Sequence, residues 1–560
     1  MDEDMRTSFL DVPCGQDDRL SSSTNDNEKT TLERCCTSNS GIWGIQADRT
    51  AQVALRLVGL VFMLAQCIDA SELMTCSKDE LLLCISCEDY KCAAKRDCFE
   101  EGHKFTCYCQ FGFVEPAKGS NQKAGCVKAD MVTQKIYGDP HFATLDRSFY
   151  DYQGSCPYTF LKPCKTLGMF HDFELSIKNK VYLNWHPFYT FVDEIQFVFM
   201  KQTVFIDTHR SVFFNGRRIA TPFYFPANDD KTLIWVYKTG KTITVYARNS
   251  VSFSIRDHLF TYRVPRSPLY EGDDALCGLG GNLNGRCDDD IRSRNGSIYK
   301  TSSCVYSKNK STVLDISKFL DTWIVHDFAS GSQGCHSGEW MAERMDLNCE
   351  NVPAAEAACR VIADARESKG MFASCAPLFG EENLFESCVI DLCISKEGKC
   401  STLTEFAERC LADVKGANIS NWRTEAGCPM SCPEKSSYSS CVTACQPACG
   451  NTSSSFCDTT CHEGCECMSG YLMDYAAVEP KCVLPSQCPC QDAEGNSLEP
   501  RISYMGTDCT SISVCVNGKI RSRRYKCPEH STCGLVDGIR SCVCLPGYNW
   551  DDSEDYCAPV

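Results

Sequence analysis

Between residues 192 and 257 the hydrophobic and polar positions alternate with a period of two. The stretches VDEIQFVFM (192–200), QTVFIDTH (202–209), KTLIWVYK (231–238), KTITVYAR (241–248) and SVSFSIRD (250–257) are rich in Val, Ile, Phe, Thr and Tyr. Successive residues of a strand point to opposite faces, so this alternation predicts strands with one apolar side. Asn215-Gly216 and Asn228-Asp229-Asp230 supply turn signals between the runs. The pattern predicts an antiparallel β-sandwich or barrel-like sheet over residues 131–327, large enough to bury a true core. The period then changes. VPAAEAACRVIADA (352–365) and LTEFAERCLADV (403–414) carry Ala and Leu at helical spacing. They predict a small helical module over 335–427. Past residue 428 apolar content is low and no long low-complexity linker separates the remaining parts.

Cysteine changes the picture of those weakly patterned parts. The 560 residues contain 44 cysteines, spread along most of the chain after Cys76. Only ten histidines are present, and no CxxC…CxxC array repeats, so structural zinc is a poor explanation. Disulfides in an oxidising compartment are the better one. Each such bridge contributes roughly 2–4 kcal/mol and replaces part of a core. Residues 76–126 hold eight cysteines and end in the C-x-C, Gly-aromatic, Cys form of an EGF-like tail. Cys335, Cys349, Cys359, Cys375, Cys388, Cys393, Cys400 and Cys410 belong to the helical module. Residues 428–488 hold a further dense group from Cys432 to Cys488, and residues 490–560 close with a second EGF-like tail at Cys533–Cys557.

The formal charge of −17 comes without any basic stripe interleaved with aromatics, which argues against nucleic acid as a partner. Asn295, Asn309, Asn418 and Asn451 each open an Asn-x-Ser/Thr sequon, and they are glycosylation candidates in a secreted chain. Residues 1–50 are polar and predicted to be disordered. Residues 51–70 contain Arg56, the apolar run Leu57–Ala65 and a small residue, Ala70. The run is short for a membrane span and reads as a signal-peptide core. Cleavage after Ala70 gives a secreted protein. An uncleaved anchor at 53–68 gives a membrane-tethered ectodomain.

Three signatures in fixed order identify a family. GDPHFATLDRSFYDYQGSCPYTFLKPC (138–164) resembles the opening of a von Willebrand factor type D domain. CGLGGNLNGRCDDD (277–290) resembles its glycine-rich loop, and FLDTWIV (319–325) its closing strand. The modules that follow such domains also have counterparts. The eight-cysteine module ends in NISNWRTEAGCP, and the trypsin-inhibitor-like module begins CPEKSSYSSCVTACQPAC. The resemblance spans roughly 131–488. It implies a mainly β, multidomain, secreted protein of mucus, matrix or cell adhesion.

GNLNGRCDDD offers Asn282, Asn284, Asp288, Asp289 and Asp290, with glycines that let the backbone turn and present carbonyls. Hard cations take six to eight such oxygens. No twelve-residue loop ending in Glu is present, so this is not an EF-hand. The resemblance implies one Ca²⁺ bound by Asp146, Asn282, Asn284, Asp289 and Asp290, with a main-chain oxygen near Arg286. In family members that form linked multimers the GLG position carries Cys-Gly-Leu-Cys. Here Gly280 replaces the second cysteine and Cys287 is extra, which counts against disulfide exchange. Cys277 pairs with Cys287 or elsewhere.

Asp139-Pro140 is an acid-sensitive bond type that some family members cleave. The alternative, favoured here, is a turn launching the first strand, with His141 packed as a satisfied polar residue. In inhibitors of the trypsin-inhibitor-like family a short loop enters the protease. The corresponding CDTTC (457–461) has no Lys or Arg, so a spacer is the better reading. No G-x-S-x-G, HExxH or phosphate loop occurs, and no enzyme is expected. The expected partners are extracellular glycoproteins or a second copy of the chain. A secreted protease inhibitor is the alternative.

Overall fold

The computed structural model describes Cys87 and residues 91–101, 104–116, 125–182, 186–226, 231–300, 303–306, 308–345, 349, 351–379, 384–394, 398–450, 459–477, 479–492, 497–506, 508–536, 539–551 and 556–560. All lie in one compact unit, Cys76–Val560. The stretches read as disordered and as leader or anchor, and Asn451, fall outside them. Among the described residues, no helix is long and apolar enough to cross a membrane.

The predicted antiparallel β-sandwich is present as two sheets. One has eight strands in the order Phe223–Phe225, Ile234–Thr239, Thr242–Ala247, Ser252–Arg256, Leu259–Pro265, Met131–Tyr137, His141–Ala143 and Phe149–Asp151. The other has seven: Arg217–Ile219, Val212–Phe214, Gln202–Ile206, His186–Phe199, Phe173–Tyr182, Pro157–Pro163 and Leu276–Cys277. Every pairing within both is antiparallel. The core lies between them. Leu175, Ile177, Ile195 and Phe199 face Ile243, Val245, Phe253, Ile255 and Phe260, and all of these are fully buried.

The alternation predicts one wet face, yet the polar positions Thr242, Thr244, Ser252, Ser254 and Arg256 of the eight-stranded sheet are buried too. Other modules roof them. Phe111 of the first cysteine-rich region packs on Trp235 and Tyr246. The hydroxyl of Tyr475, from the region past residue 428, accepts the Gly240 N–H at 2.9 Å. Gly240 has φ +58°, and a Cβ there would lie 2.8 Å from the Glu463 carbonyl oxygen, so this approach requires glycine.

The helical module consists of Val352–Arg366, Leu384–Ile394, Lys399–Asp413 and Trp422–Ala426. It is bridged by Cys349–Cys393, Cys359–Cys388, Cys375–Cys410 and Cys400–Cys428. Its core gathers Phe372, Phe406, Ala407 and Trp422. Cys335, read as part of this module, instead bridges Cys156 in the β-domain. The module's fourth bridge uses Cys428.

Two further expectations change. The supposed closing strand at 319–325 is the end of a helix, Lys310–Leu320, followed by a tight turn at Asp321–Trp323. Asn309 caps that helix by accepting the Thr312 N–H at 2.9 Å, and Val313, Ile316 and Leu320 form its buried stripe. The end of the segment meets the sheet only briefly: Ile324 bridges Tyr158, and the Val325 N–H donates to the Pro157 carbonyl at 2.9 Å. Gly138-Asp139-Pro140 does not launch the first strand. It turns the chain between Met131–Tyr137 and His141–Ala143, which pair as a hairpin.

The outer cysteine-rich regions share one pairing scheme. Cys87–Cys98, Cys92–Cys107 and Cys109–Cys126 interleave first-to-third, second-to-fourth, fifth-to-sixth. Cys509–Cys533, Cys527–Cys542 and Cys544–Cys557 repeat it at the other end. Every described cysteine is disulfide-bonded.

Candidate functional site

The glycine-rich loop leaves the sheet at Leu276–Cys277, which pairs with the end of Pro157–Pro163. Cys277 is bonded to Cys164, and Cys287 to Cys304. The alternative Cys277–Cys287 pair does not form. Asp146, from the turn after His141–Ala143, reaches across to the loop. Its Oδ2 accepts the N–H groups of Asn284 at 2.7 Å and Gly285 at 2.9 Å. Asp290 Oδ1 accepts the Asn282 N–H at 3.0 Å, and Oδ2 accepts the Thr144 hydroxyl at 2.5 Å. Asp289 accepts from Asn284 Nδ2 at 3.0 Å and from Arg286 at 2.9 Å.

The five expected ligands are therefore brought together at the loop, and all but Asn282 Oδ1 have side-chain oxygens engaged by local donors. Asp273, which the sequence reading did not include, also joins, accepting from Asn284 Nδ2 at 2.8 Å. Two features fit a cation. Asn282 Oδ1 is buried without a hydrogen-bond partner. Burial, aided by Asp146 and Asp289, pushes the Asp290 carboxyl up to about 8, although Thr144 and the Asn282 amide oppose this. Burial raises Asp146 as well.

A second cluster surrounds the Gly138–His141 turn, where the β-domain meets the helix Leu384–Ile394. His141 Nδ1 lies 2.7 Å from Asp151 Oδ1. On the other side of the ring, Nε2 lies 2.8 Å from Asp139 Oδ1 and 3.5 Å from Asp391 Oδ1. Neither Nε2 nor Asp139 Oδ1 makes a hydrogen bond, and both are buried. Asp391 Oδ1 accepts the Asp139 N–H at 3.1 Å, and Glu405 accepts the Gly138 N–H at 3.2 Å.

Lys308 Nζ stands 4.0 Å from Asp151, 3.5 Å from His141 Nδ1 and 3.1 Å from the Ser387 hydroxyl. The Asp139 carbonyl, at the Asp-Pro bond, accepts from Gln153. A cavity of about 330 Å³, lined by His141, Asp151, Tyr306, Lys308 and Ser387, adjoins the cluster. Burial lifts Asp139 to about 7 against the pull of His141. Burial and Lys308 both act to lower His141, yet Asp139, Asp151 and Asp391 together hold it well above its ordinary value. His141 is thus no ordinary satisfied core histidine.

A third network was not anticipated. Glu408, on the helix Lys399–Asp413, pairs with Arg256 of the sheet and lies 3.1 Å from His462 Nδ1. It also accepts the Glu463 N–H at 2.7 Å. Glu463 is completely buried. Its carboxylate accepts from Trp422 Nε1 at 2.7 Å, Arg423 Nη2 at 2.7 Å and the Tyr438 hydroxyl. The signal in the sequence is faint: Glu405 stands three residues before Glu408 and four before Arg409 on one helix, and Arg256 ends the strand Ser252–Arg256.

Asn295, Asn309 and Asn418 are all exposed. Of the trypsin-inhibitor-like loop only Thr459, Thr460 and Cys461 are described, and Cys461 is bonded to Cys441.

Residues 135–297 match the von Willebrand factor type D domain, and residues 358–429 the C8 domain. Residues 432–488 match the trypsin-inhibitor-like cysteine-rich domain, and residues 489–543 the TILa domain. The last match takes in most of the region read only as cysteine-rich with an EGF-like tail. Zonadhesin of Sus scrofa is 27% identical over 429 residues, covering 75% of this chain and 16% of its own length. Human alpha-tectorin is 26% identical over 484 residues, 82% of this chain and 19% of its own. Human IgGFc-binding protein is 26% identical over 467 residues, 82% of this chain and 8% of its own. The chain spans less than a fifth of the length of these relatives.

Proposed function

Because this chain carries the type D, C8, trypsin-inhibitor-like and TILa array of the von Willebrand factor type D proteins, we propose that it works outside the cell as an adhesive or matrix glycoprotein. It acts by binding other extracellular glycoproteins or a second copy of itself. One observation carries this reading: the modules are welded into a shared frame by the buried Arg256–Glu408–Glu463 network. Such a frame presents broad, fixed surfaces, as binding proteins do. The names of the relatives point the same way, one of them stating an IgG Fc partner of its own. All described cysteines are internally paired, which leaves none of these for a covalent link to a partner.

Calcium belongs to this proposal. Asp146, Asn282, Asn284, Asp289 and Asp290 would hold one Ca²⁺, with Asn282 Oδ1 and Asp290 among the oxygens supplied to it. The ion would supply charge neutralisation and pin the loop to the turn at Asp146. It has no catalytic part. The Gly138–His141 segment serves as a buried turn rather than as a self-cleaving centre at Asp139-Pro140.

Differential scanning fluorimetry with added calcium tests the site. The wild type is expected to melt several degrees higher in calcium than in EDTA, and Asp146→Ala to lose most of that difference. Equal melting of both proteins in both buffers would remove calcium from the proposal.

A further inference from the structure

We propose that Asp139, His141 and Asp391 form a second metal site, for a zinc-class divalent ion, which clamps the first hairpin of the type D domain to the C8 helix Leu384–Ile394. One oxygen or nitrogen atom from each of the three lies within 4.8 Å of the other two. The separations from His141 Nε2 are 2.8 Å to Asp139 Oδ1 and 3.5 Å to Asp391 Oδ1. Tetrahedral ligand atoms with metal bonds of about 2.0–2.1 Å stand about 3.3 Å apart, so the two edges from Nε2 bracket the spacing of such a site, and the third is within 4.8 Å.

The second observation is independent of that spacing. His141 Nε2 and Asp139 Oδ1 are buried, aimed at one another and without hydrogen-bond partners. Buried polar atoms are almost always satisfied, and a shared cation satisfies both.

The surroundings supply what a ligating histidine needs. His141 Nδ1 faces Asp151 at 2.7 Å. An Nδ1–H donated to that carboxylate fixes the tautomer with the Nε2 lone pair free, the usual carboxylate–histidine–metal arrangement. Asp139, Asp151, Asp391 and Glu405 bring four carboxyl groups around His141, with Lys308 and His258 as the neighbouring basic side chains. A divalent ion would hold Asp139 and Asp391 ionised side by side.

Binding exchanges one particle for another: the ion takes the Nε2 position and the imidazolium proton leaves to solvent, so no other reactant is needed. Asp391 and Glu405 also line a small cavity of about 20 Å³, room for about one water molecule to complete the coordination. One nitrogen and two carboxylate oxygens suit zinc or manganese better than calcium. The site shares no residue with the loop at 277–290.

The experiment uses the full chain, stripped with chelator and returned to calcium-saturated buffer. Isothermal titration with Zn²⁺ is run on the wild type, His141→Gln and Asp391→Asn. Asp391→Asn keeps an oxygen to accept the Asp139 N–H and so protects the fold. The wild type is expected to bind one equivalent at micromolar or tighter Kd with proton release. Both variants should lose at least 100-fold in affinity while keeping the calcium-dependent melting shift. Co²⁺ replacing zinc should give a visible absorption band that Asp391→Asn removes. If His141→Gln does not fold, Asp391→Asn and the cobalt band decide alone. Absence of Zn²⁺ binding to the wild type, or equal binding by the variants, overturns the proposal.

Discussion

At the scale of single residues, position in the chain was a poor guide to surroundings. Gly138, Asp139 and His141 were legible as a turn, and that much holds. Their neighbours were not legible, because Asp391 and Glu405 lie more than 250 residues away and arrive only through packing of the C8 helices. Asp146 shows the opposite case: its approach to the loop at 277–290 followed from the family resemblance. Gly138 also makes a sharp prediction. Its φ is +61°, and an added Cβ would strike the Asp391 carboxylate, whereas Gly168, with φ +107°, opens on empty space. Gly138→Ala is expected to destabilise by about 1–3 kcal/mol more than Gly168→Ala, the surplus being a forced contact at a rigid turn. Urea unfolding of both variants measures it. Equal losses would mean that the turn is not pressed against the C8 helix.

At the scale of elements, strands were legible from alternation, and helices from spacing. Failures occurred where the outer face of an element is covered. SVSFSIRD reads as half-exposed, yet Ser252, Ser254 and Arg256 are buried beneath neighbouring modules, and no local pattern announces a roof. FLDTWIV is expected as a strand from the family resemblance, but Asn309 starts a helix ten residues earlier whose stripe ends at Leu320. The buried acids follow from the same covering. Removing one partner of a buried ion pair leaves an uncompensated group and costs about 3–5 kcal/mol. Glu463→Gln places an amide donor against Trp422, Arg423 and Tyr438, all donors already, so a loss of that size is expected in thermal unfolding. A change under about 1 kcal/mol would mean that the junction between the C8 and trypsin-inhibitor-like modules is not held by this carboxylate.

At the scale of the whole molecule, the frame is a β-sandwich with disulfide-bonded modules seated on one sheet. Cys156–Cys335 closes a separation of 179 residues, a loop whose closure contributes about 5 kcal/mol in the chain-entropy account. The junction gives this frame an acid-sensitive edge. Burial, the largest influence on Glu408, would raise it, yet Arg256 and His462 hold it below its ordinary 4.5. A carboxylate depressed in the folded state contributes stability present above its unfolded value and lost as pH falls through its folded one. The melting temperature of the wild type should therefore fall more steeply below about pH 4.5 than that of Glu408→Gln, which lacks this proton uptake. Parallel acid slopes would show that the Arg256–Glu408 pair carries no linkage.

The central claim is that this frame exists to bind, outside the cell. Biolayer interferometry on the immobilised full chain, in millimolar calcium, tests it most directly. The analytes are a second copy of the chain, IgG Fc and a panel of extracellular glycoproteins, with trypsin-like and other serine proteases run alongside. The account predicts saturable, reversible binding to the chain itself or to at least one glycoprotein, with no stoichiometric protease inhibition. Absence of any glycoprotein or self binding at micromolar concentration, together with tight inhibition of a protease, would contradict it.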